Sequence, residues 1–399
     1  MPRSAPSDRA LTAALGLLLL GVGLGAVLRL GQLTPLGIDA GNATHAHSHT
    51  LYWGWAGLAL FALFFERVGA TGRGARLVLG ALAAQGLATF GIFLHSGYAG
   101  PGVVLSALTL FPFVAAVIVF LRAARGLHEA DVAFLRGAAV YVLIAYVCAL
   151  GRVALKVLQI DDPILAAAAV HLFLGAFGAF LSLGVMGLTV RALGVRPGPE
   201  LGVVLGLGAP LLMWPSVLTL PGLDQASGLS ALARFSSVVL LVPGAAWSAW
   251  VWRASAGAEQ RWLWRSAAFA WTLGVALSAL LATGALSAWA MNRHAVVFAV
   301  HLQTLGVVTS SLLLFLELRR PHPATRALWA HQTGIFLMLG GLGAAALWPG
   351  RASLVVAALG GGLLVTGQAW AAARFVSSPR RSSTVTTARF ELAPARPAS

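Results

Sequence analysis

The sequence is poor in charged residues. Only 10% of its 399 residues are Asp, Glu, Lys or Arg, whereas 58% are apolar. Soluble domains carry charge on about a quarter of their residues, so this composition argues against a soluble fold. The formal net charge of +15 would suggest nucleic-acid binding in a soluble protein, but the cations stand in short gaps between apolar runs and form no contiguous basic face. We expect a lipid bilayer as the partner of this surface, and no nucleic acid.

Cysteine is almost absent, because Cys148 is the only one in the chain. A single cysteine excludes an intrachain disulfide, a cysteine zinc site, an iron–sulfur cluster and the Cys-x-x-Cys-His attachment of c-type haem. Any bound metal would therefore depend mainly on the ten histidines. Carboxylates are also missing from the middle of the apolar runs, which argues against a proton-conducting path.

Twelve apolar runs are long enough to cross a membrane, since a transmembrane helix needs about 20 apolar residues. The predicted spans are 10–31, 47–66, 76–96, 102–122, 133–156, 166–190, 200–221, 231–252, 264–289, 294–316, 326–347 and 352–374. The first run resembles a secretion signal, but eleven more follow, so we interpret it as the first helix. The prediction is an all-α membrane protein, with one twelve-helix domain over residues 1–375 and a disordered cytoplasmic tail over 376–399.

The basic residues are unevenly distributed between the two sides of these spans. With the N-terminus inside, the outer segments hold six of the 27 Arg and Lys residues, and the inner segments hold the other 27 − 6 = 21. The outer six are Arg29, Arg152, Lys156, Arg234, Arg293 and Arg351. Positive charge favours the cytoplasmic side. We therefore predict a multi-pass protein of the cell (cytoplasmic) membrane with both termini in the cytoplasm.

Spans 2, 6 and 10 share a pattern in which histidine stands near the start and arginine at the end. His47, His171 and His301 recur at intervals of 171 − 47 = 124 and 301 − 171 = 130 residues, each of which covers four spans. This period predicts three quasi-equivalent four-helix units. Because the three spans run in one direction, we expect the three imidazoles at one depth, on the outer side. An ionisable residue within a span is a candidate for function, although histidine also occurs at membrane interfaces without any ligand.

Helical geometry divides the histidines of span 2 between two faces. At about 100° per residue, His45 and His47 point about 200° apart. His45 and His49 are four residues apart and share a face, where two imidazoles can form a metal clip. If the ligand is haem, Arg293 and Arg351 are candidates to bind its propionates. The alternative is that these arginines only flank the membrane.

The chain resembles subunit I of the haem–copper oxidases in residues 47–57, His-Ser-His-Thr-Leu-Tyr-Trp-Gly-Trp-Ala-Gly, and in residues 300–303, Val-His-Leu-Gln. The resemblance implies that His47 on span 2 binds a low-spin haem and that His301 is a haem ligand on span 10. It also implies that His171 falls where span 6 of the family supplies a copper ligand.

Two departures from that family concern copper. Gln303 replaces the second histidine of the family's His-x-His on span 10, and span 7 contains no histidine. The usual copper site is therefore incomplete, and whether the chain is an oxidase-like enzyme stays open. The His-Ala-His segment at 45–47 is similar to the NnrS family of twelve-helix haem and copper proteins, which is the second resemblance.

The leading hypothesis is a membrane protein that binds haem b, with His47 and His301 as the axial pair and His171 as a second metal or haem ligand. Copper is a further cofactor in this hypothesis, and a respiratory electron-donor subunit is a further partner. The expected role is respiratory electron transfer or binding of O2 or NO. The alternatives are a transporter without cofactor, whose histidines line a polar path, and an accessory subunit of a respiratory complex.

Overall fold

The computed structural model describes residues 6–195, 197–220, 227–258, 260–284, 286, 292–320, 325–348 and 350–377, in which all regular secondary structure is helical. The α-helices are α1 (Pro6–Leu30), α2 (Ala40–His49), α3 (Leu58–Arg67), α4 (Arg73–Ser96), α5 (Pro101–Leu108), α6 (Leu110–Ala123), α7 (Ala130–Val157), α8 (Pro163–Leu193), α9 (Pro199–Val203), α10 (Gly228–Val239), α11 (Leu241–Ala254), α12 (Arg261–Ala282), α13 (Arg293–His301), α14 (Ser310–Leu318), α15 (Thr325–Leu347) and α16 (Arg351–Ser377). The all-α prediction is confirmed over these ranges.

Eleven helical segments of the described residues are long and apolar enough to cross a membrane. They are Ser7–Leu30, Arg73–Ser96, Pro101–Ala123, Ala130–Val157, Pro163–Leu193, Pro199–Leu218, Gly228–Ala254, Arg261–Ala282, Arg293–Leu318, Thr325–Leu347 and Arg351–Ser377. Each corresponds to one predicted span. The chain is therefore a multi-pass membrane protein whose apolar helices suit a lipid bilayer. Of the predicted tail, residues 376 and 377 belong to α16, and residues 378–399 lie outside the described part.

The remaining predicted span, 47–66, lies in a helix that runs without a break from α2 to α3. A π-helical segment, π1 (Thr50–Gly57), connects the two. This helix is not among the eleven apolar segments above, because its first part is polar and includes three histidines. Two further π-helical segments are π2 (Val204–Gly208), after α9, and π3 (Leu302–Thr309), which connects α13 to α14.

The span that begins with α9 is the least regular in the described part of the chain. After π2 it continues as two 3₁₀ turns, Ala209–Leu211 and Trp214–Thr219. Pro210 and Pro215 lie in these turns, where proline lacks the N–H that an α-helix would use. The result is an irregular segment that packs against α8.

The helices that carry the three histidines lie side by side. The ring centroids of Trp53 and Phe177 are 4.4 Å apart, and a Cβ at Gly184 would lie 3.1 Å from Leu60. Both pairs are 124 positions apart, which is also the interval between His47 and His171. The α2–α3 helix and α8 therefore run in the same direction.

A second contact relates the helix of His47 to the helix of His301. Trp55 on π1 donates a hydrogen bond from Nε1 to Oγ1 of Thr309 on π3, at 3.2 Å in the buried interior. This pair is 309 − 55 = 254 positions apart, and 301 − 47 is also 254. The two helices are therefore parallel and keep the same register from their histidines to their π segments.

Ion pairs join the ends of the helices that lie away from the histidines. Arg67, at the end of α3, binds both carboxylate oxygens of Asp131 at the start of α7. Arg319, just after α14, lies 2.7 Å from Glu66 and 3.4 Å from Asp8. These pairs link the ends of α1, α3, α7 and α14.

Candidate functional site

The rings of His47 and His301 lie close together between two neighbouring helices and are nearly parallel. Their ring centroids are 6.1 Å apart, and their planes differ by 15°. The sequence predicted these two residues as a pair, and the structure brings them together.

Hydrogen bonds fix the protonation of both rings. Nδ1 of His47 donates to the carbonyl oxygen of Gly21 on α1, at 2.8 Å. Nδ1 of His301 donates to the carbonyl oxygen of Val297, one turn earlier on α13, also at 2.8 Å. A carbonyl oxygen accepts only, so each neutral imidazole carries its proton on Nδ1 and keeps the lone pair of Nε2. A hydrogen bond of this kind orients metal-binding histidines.

One glycine of α1 allows the ring of His47 to approach this helix so closely. Gly21 supplies the acceptor carbonyl, and Gly25 lies beside the ring, where an added Cβ would be only 2.5 Å from Cε1 of His47. Gly23, on the same helix, has open space at its Cβ position. Gly25 therefore forms a recess on α1 that receives the imidazole, whereas the space at Gly21 receives the side chain of Leu51, 2.6 Å from the position of an added Cβ.

The pair lines a cavity of about 630 Å³, which we name cavity A. Other residues on its wall include Arg29 of α1, Arg293 at the start of α13, and Tyr52 of π1. Ligand sites commonly enclose about 300–1,000 Å³. Arg351, the other arginine predicted for this role, is not among the residues that line cavity A. The cavity thus combines two imidazoles, an apolar wall and two guanidinium groups.

The spacing of the rings suits a metal ion between them. A metal–imidazole bond is about 2 Å long and the bonding nitrogen lies about 1 Å from the ring centre, so two imidazoles on opposite sides of one ion have centroids about 6 Å apart. The observed 6.1 Å agrees with this arrangement. Because each Nε2 keeps its lone pair, His47 and His301 are the residues that could hold a haem iron between them.

His45 and His49 lie on the opposite side of α2 and line a different cavity, cavity B, of about 550 Å³. Their ring centroids are 6.4 Å apart. Nδ1 of His49 accepts a hydrogen bond from Nε1 of Trp53 at 2.8 Å, and Nε2 lies 2.5 Å from the hydroxyl oxygen of Tyr98. Both nitrogens of His49 are therefore engaged, and a metal clip with His45 would have to displace one of these partners.

Tyr98 lies in the turn between α4 and α5, outside the segments that cross the membrane. Burial raises the pKa of its phenol to about 12, although the residue is 44% exposed. Since an unperturbed phenol already has a pKa near 10, the Tyr98 hydroxyl keeps its proton at neutral pH.

His171 on α8 has partners that differ from those of the other histidines. Its Nδ1 donates to the carbonyl oxygen of Ser216 at 2.9 Å, and Oγ of Ser216 donates to the carbonyl oxygen of His171 at 2.8 Å. Gly175, one turn later, permits this contact, because a Cβ there would lie 2.1 Å from the carbonyl oxygen of Met213. His171 is absent from the residues that line cavities A and B, so its role as a second metal ligand stays a prediction.

Sequence reasoning did not single out Gly25, Arg29 or Tyr98 for the site. Arg29 carried a signal, since it is a cation at the outer end of an apolar helix. Gly21 and Gly25 are four residues apart, a spacing that favours close packing of helices, but it does not identify the partner. Tyr98 carried no signal, because its role depends on how the α4–α5 turn folds over α2.

A conventional all-protein metal site is not evident. In the described residues, no group of three or more His, Cys, Asp or Glu side chains is placed to hold a metal ion. A copper site of the usual kind needs three such side chains, whereas two histidines are enough to hold a haem. The finding therefore concerns the predicted copper and not the haem. Comparison of the chain with protein-family models and with curated proteins found no match.

Proposed function

We propose that this protein is a b-type haem protein of the cell membrane that transfers electrons, with His47 and His301 as the two axial ligands. The observation that carries the proposal is the nearly parallel pair of imidazoles, with centroids 6.1 Å apart on the wall of one cavity and each Nδ1 bonded to a backbone carbonyl oxygen. A single imidazole at a membrane interface needs no such partner. Two imidazoles that line the same cavity, each with the lone pair of Nε2 free, could together bind one metal ion.

The ligand set distinguishes between the two roles expected for such a protein. If His47 and His301 both bind the iron, they would leave no ligand position free for O2 or NO, and the proposal therefore favours electron transfer over gas binding. Bound haem would supply a reversible one-electron change at iron, with a potential tuned by its ligands and surroundings. The hydrogen bonds from His47 and His301 to carbonyl oxygens hold the two rings in place during that change.

The charged groups of cavity A suit the propionates of haem. Arg29 is half-buried and donates to the side chain of Gln32, at 3.3 Å, while Arg293 is exposed. Both guanidinium groups are on the cavity wall. They would bind carboxylates by charge-assisted hydrogen bonds, and their positive charge would stabilise the reduced, ferrous state.

The proposed architecture has twelve spans, with the continuous α2–π1–α3 helix as the second, and both termini in the cytoplasm. The parallel contacts of this helix with α8 and with π3 support three related units, each contributing one histidine helix. The same arrangement supports a distant relationship to subunit I of the haem–copper oxidases. A respiratory electron donor and a copper ion at His171 belong to the proposal only through that relationship.

The test is an absorption spectrum and a pyridine haemochrome assay on the full chain, purified in detergent after expression with ample haem. We expect a low-spin b-type spectrum with about one haem per chain. His47→Gly and His301→Gly should each lose it, and added imidazole should restore it by occupying the space left by the ring. His95→Gly is the matched control, because His95 is an exposed histidine of α4 away from cavity A.

Two results would contradict the proposal. One is a wild-type protein without any Soret absorption. The other is a haem whose spectrum is the same in the His47→Gly, His301→Gly and His95→Gly variants, which would place the ligands elsewhere.

A further inference from the structure

Cavity B contains a directed chain of hydrogen bonds. The indole Nε1 of Trp53 can only donate, so Nδ1 of His49 must be the acceptor of their 2.8 Å bond. The proton of the neutral imidazole is then on Nε2, from which it is donated to the hydroxyl oxygen of Tyr98 at 2.5 Å. The chain of donors therefore runs from Trp53 through His49 to Tyr98.

The last donor of this chain is available to a ligand. Tyr98 accepts from His49, so its own hydroxyl proton must be donated elsewhere, and the described contacts include no protein acceptor for it. The residue lies on the wall of cavity B. A hydroxyl that accepts a hydrogen bond becomes a stronger donor, because the bonds in such a chain polarise one another.

The rest of the cavity is built largely from flat rings. Trp53 lies 5.4 Å from Tyr146 and 5.6 Å from Phe173, measured between ring centroids, and Phe93 lies 4.4 Å from the ring of His49. All of these residues line cavity B. Aromatic side chains pack well against another flat ring, in offset or edge-to-face arrangements. The walls therefore suit a planar, apolar ligand that offers one acceptor oxygen to Tyr98.

We propose that cavity B binds a membrane quinone, one ring carbonyl of which accepts the hydrogen bond of Tyr98. A quinone is planar, carries carbonyl acceptors, and reaches the cavity through lipid. The volume of about 550 Å³ is ample for its ring and the first part of its tail. Ser48 and Tyr52 line both cavities, so the quinone ring lies next to the site of His47 and His301. Binding itself does not depend on haem.

The cations of cavity B define the competing ligand. Arg152 and Lys156 of α7 are exposed and also line the cavity. A fatty acid or an anionic lipid would bind mainly through these two charges, whereas an uncharged quinone would depend on Tyr98. The two ligands therefore predict opposite sensitivities to substitution.

The experiment measures binding of decylubiquinone to the purified full chain by equilibrium dialysis, in wild type and in variants. Tyr98→Phe removes only the hydroxyl, and we expect about tenfold weaker binding, the upper end of what one hydrogen bond contributes. Trp53→Phe keeps a ring but frees His49 to change tautomer, and it should also weaken binding. Tyr141→Phe is the matched control, since the Tyr141 hydroxyl bonds the Ala209 carbonyl oxygen and is absent from cavity B.

Three outcomes would overturn the proposal. The first is a lack of saturable binding, and the second is equal affinities of the Tyr98→Phe and Tyr141→Phe variants for decylubiquinone. The third is displacement of decylubiquinone by oleate, together with a loss of affinity in the Arg152→Gln/Lys156→Gln variant but not in Tyr98→Phe. The measurement is repeated on His47→Gly protein without haem. Because binding is expected there too, failure of the quinone site and failure of the haem site are distinguishable.

Discussion

Substitution of Gly25 by alanine tests whether the recess on α1 positions the ligand ring. The added Cβ would lie 2.5 Å from Cε1, 2.9 Å from Nδ1 and 3.4 Å from Nε2 of His47. Van der Waals contact begins near 3.5 Å, so the imidazole has to move by about 1 Å. That movement lengthens the hydrogen bond of His47 to the Gly21 carbonyl oxygen and displaces Nε2 relative to the ring of His301. Loss of a hydrogen bond that orients a metal ligand typically costs about 10–100-fold in metal affinity.

We therefore expect Gly25→Ala to release haem at least about tenfold faster than wild type. The assay follows transfer of haem to excess apomyoglobin at the Soret band, together with the haem content of the purified protein. Gly23→Ala is the matched control on the same helix, because its Cβ would meet nothing within 4 Å. Equal release rates in the two variants, with wild-type spectra, would refute the view that Gly25 makes room for His47.

Two further substitutions probe the charges around the bundle. Arg29→Gln should lower the haem reduction potential by on the order of 40 mV, about 1 kcal/mol for one electron, because a cation near iron favours the ferrous state. A redox titration measures the shift, and Arg351→Gln is the control that should leave the potential unchanged. Equal shifts in the two variants would contradict a special role for Arg29. Asp131→Asn should destabilise the protein by about 3 kcal/mol, because Arg67 loses its bidentate partner, and lower its melting temperature in detergent. Glu129→Gln alters the other, exposed partner of Arg67, so an equal loss of stability there would show that burial of the ion pair is unimportant.

The helices were predictable because apolar length alone determines them. Predicted span 133–156 is α7 (Ala130–Val157) and predicted span 326–347 is α15 (Thr325–Leu347), each within a few residues. Helical periodicity also anticipated that His45 and His47 face opposite ways, and the structure places them on cavities B and A, respectively. These features depend only on local geometry, which a single sequence contains.

The surroundings of the site depend on packing between distant helices, which local pattern does not reveal. No periodicity indicates that α1 places Gly21 and Gly25 against His47. Nor does it indicate that the carbonyl oxygen of Ser216 accepts a hydrogen bond from Nδ1 of His171. The π segments were also missed: π1 and π3 directly follow His49 and His301, and neither contains a proline that would mark a break in an α-helix. Past Thr50, a rule of 100° per residue no longer assigns side chains to faces, since a π turn contains more residues than an α turn.

The two proposed axial ligands come from distant parts of the chain, and this has a consequence for biogenesis. His301 is synthesised 254 residues after His47, a delay of roughly 10–50 s at ordinary rates of translation. During that time the recess on α1 is made, but its opposing ring does not exist. If the chain binds haem as proposed, haem insertion would therefore be a late step in assembly, and a nascent chain that stops before α13 would carry half of the proposed site.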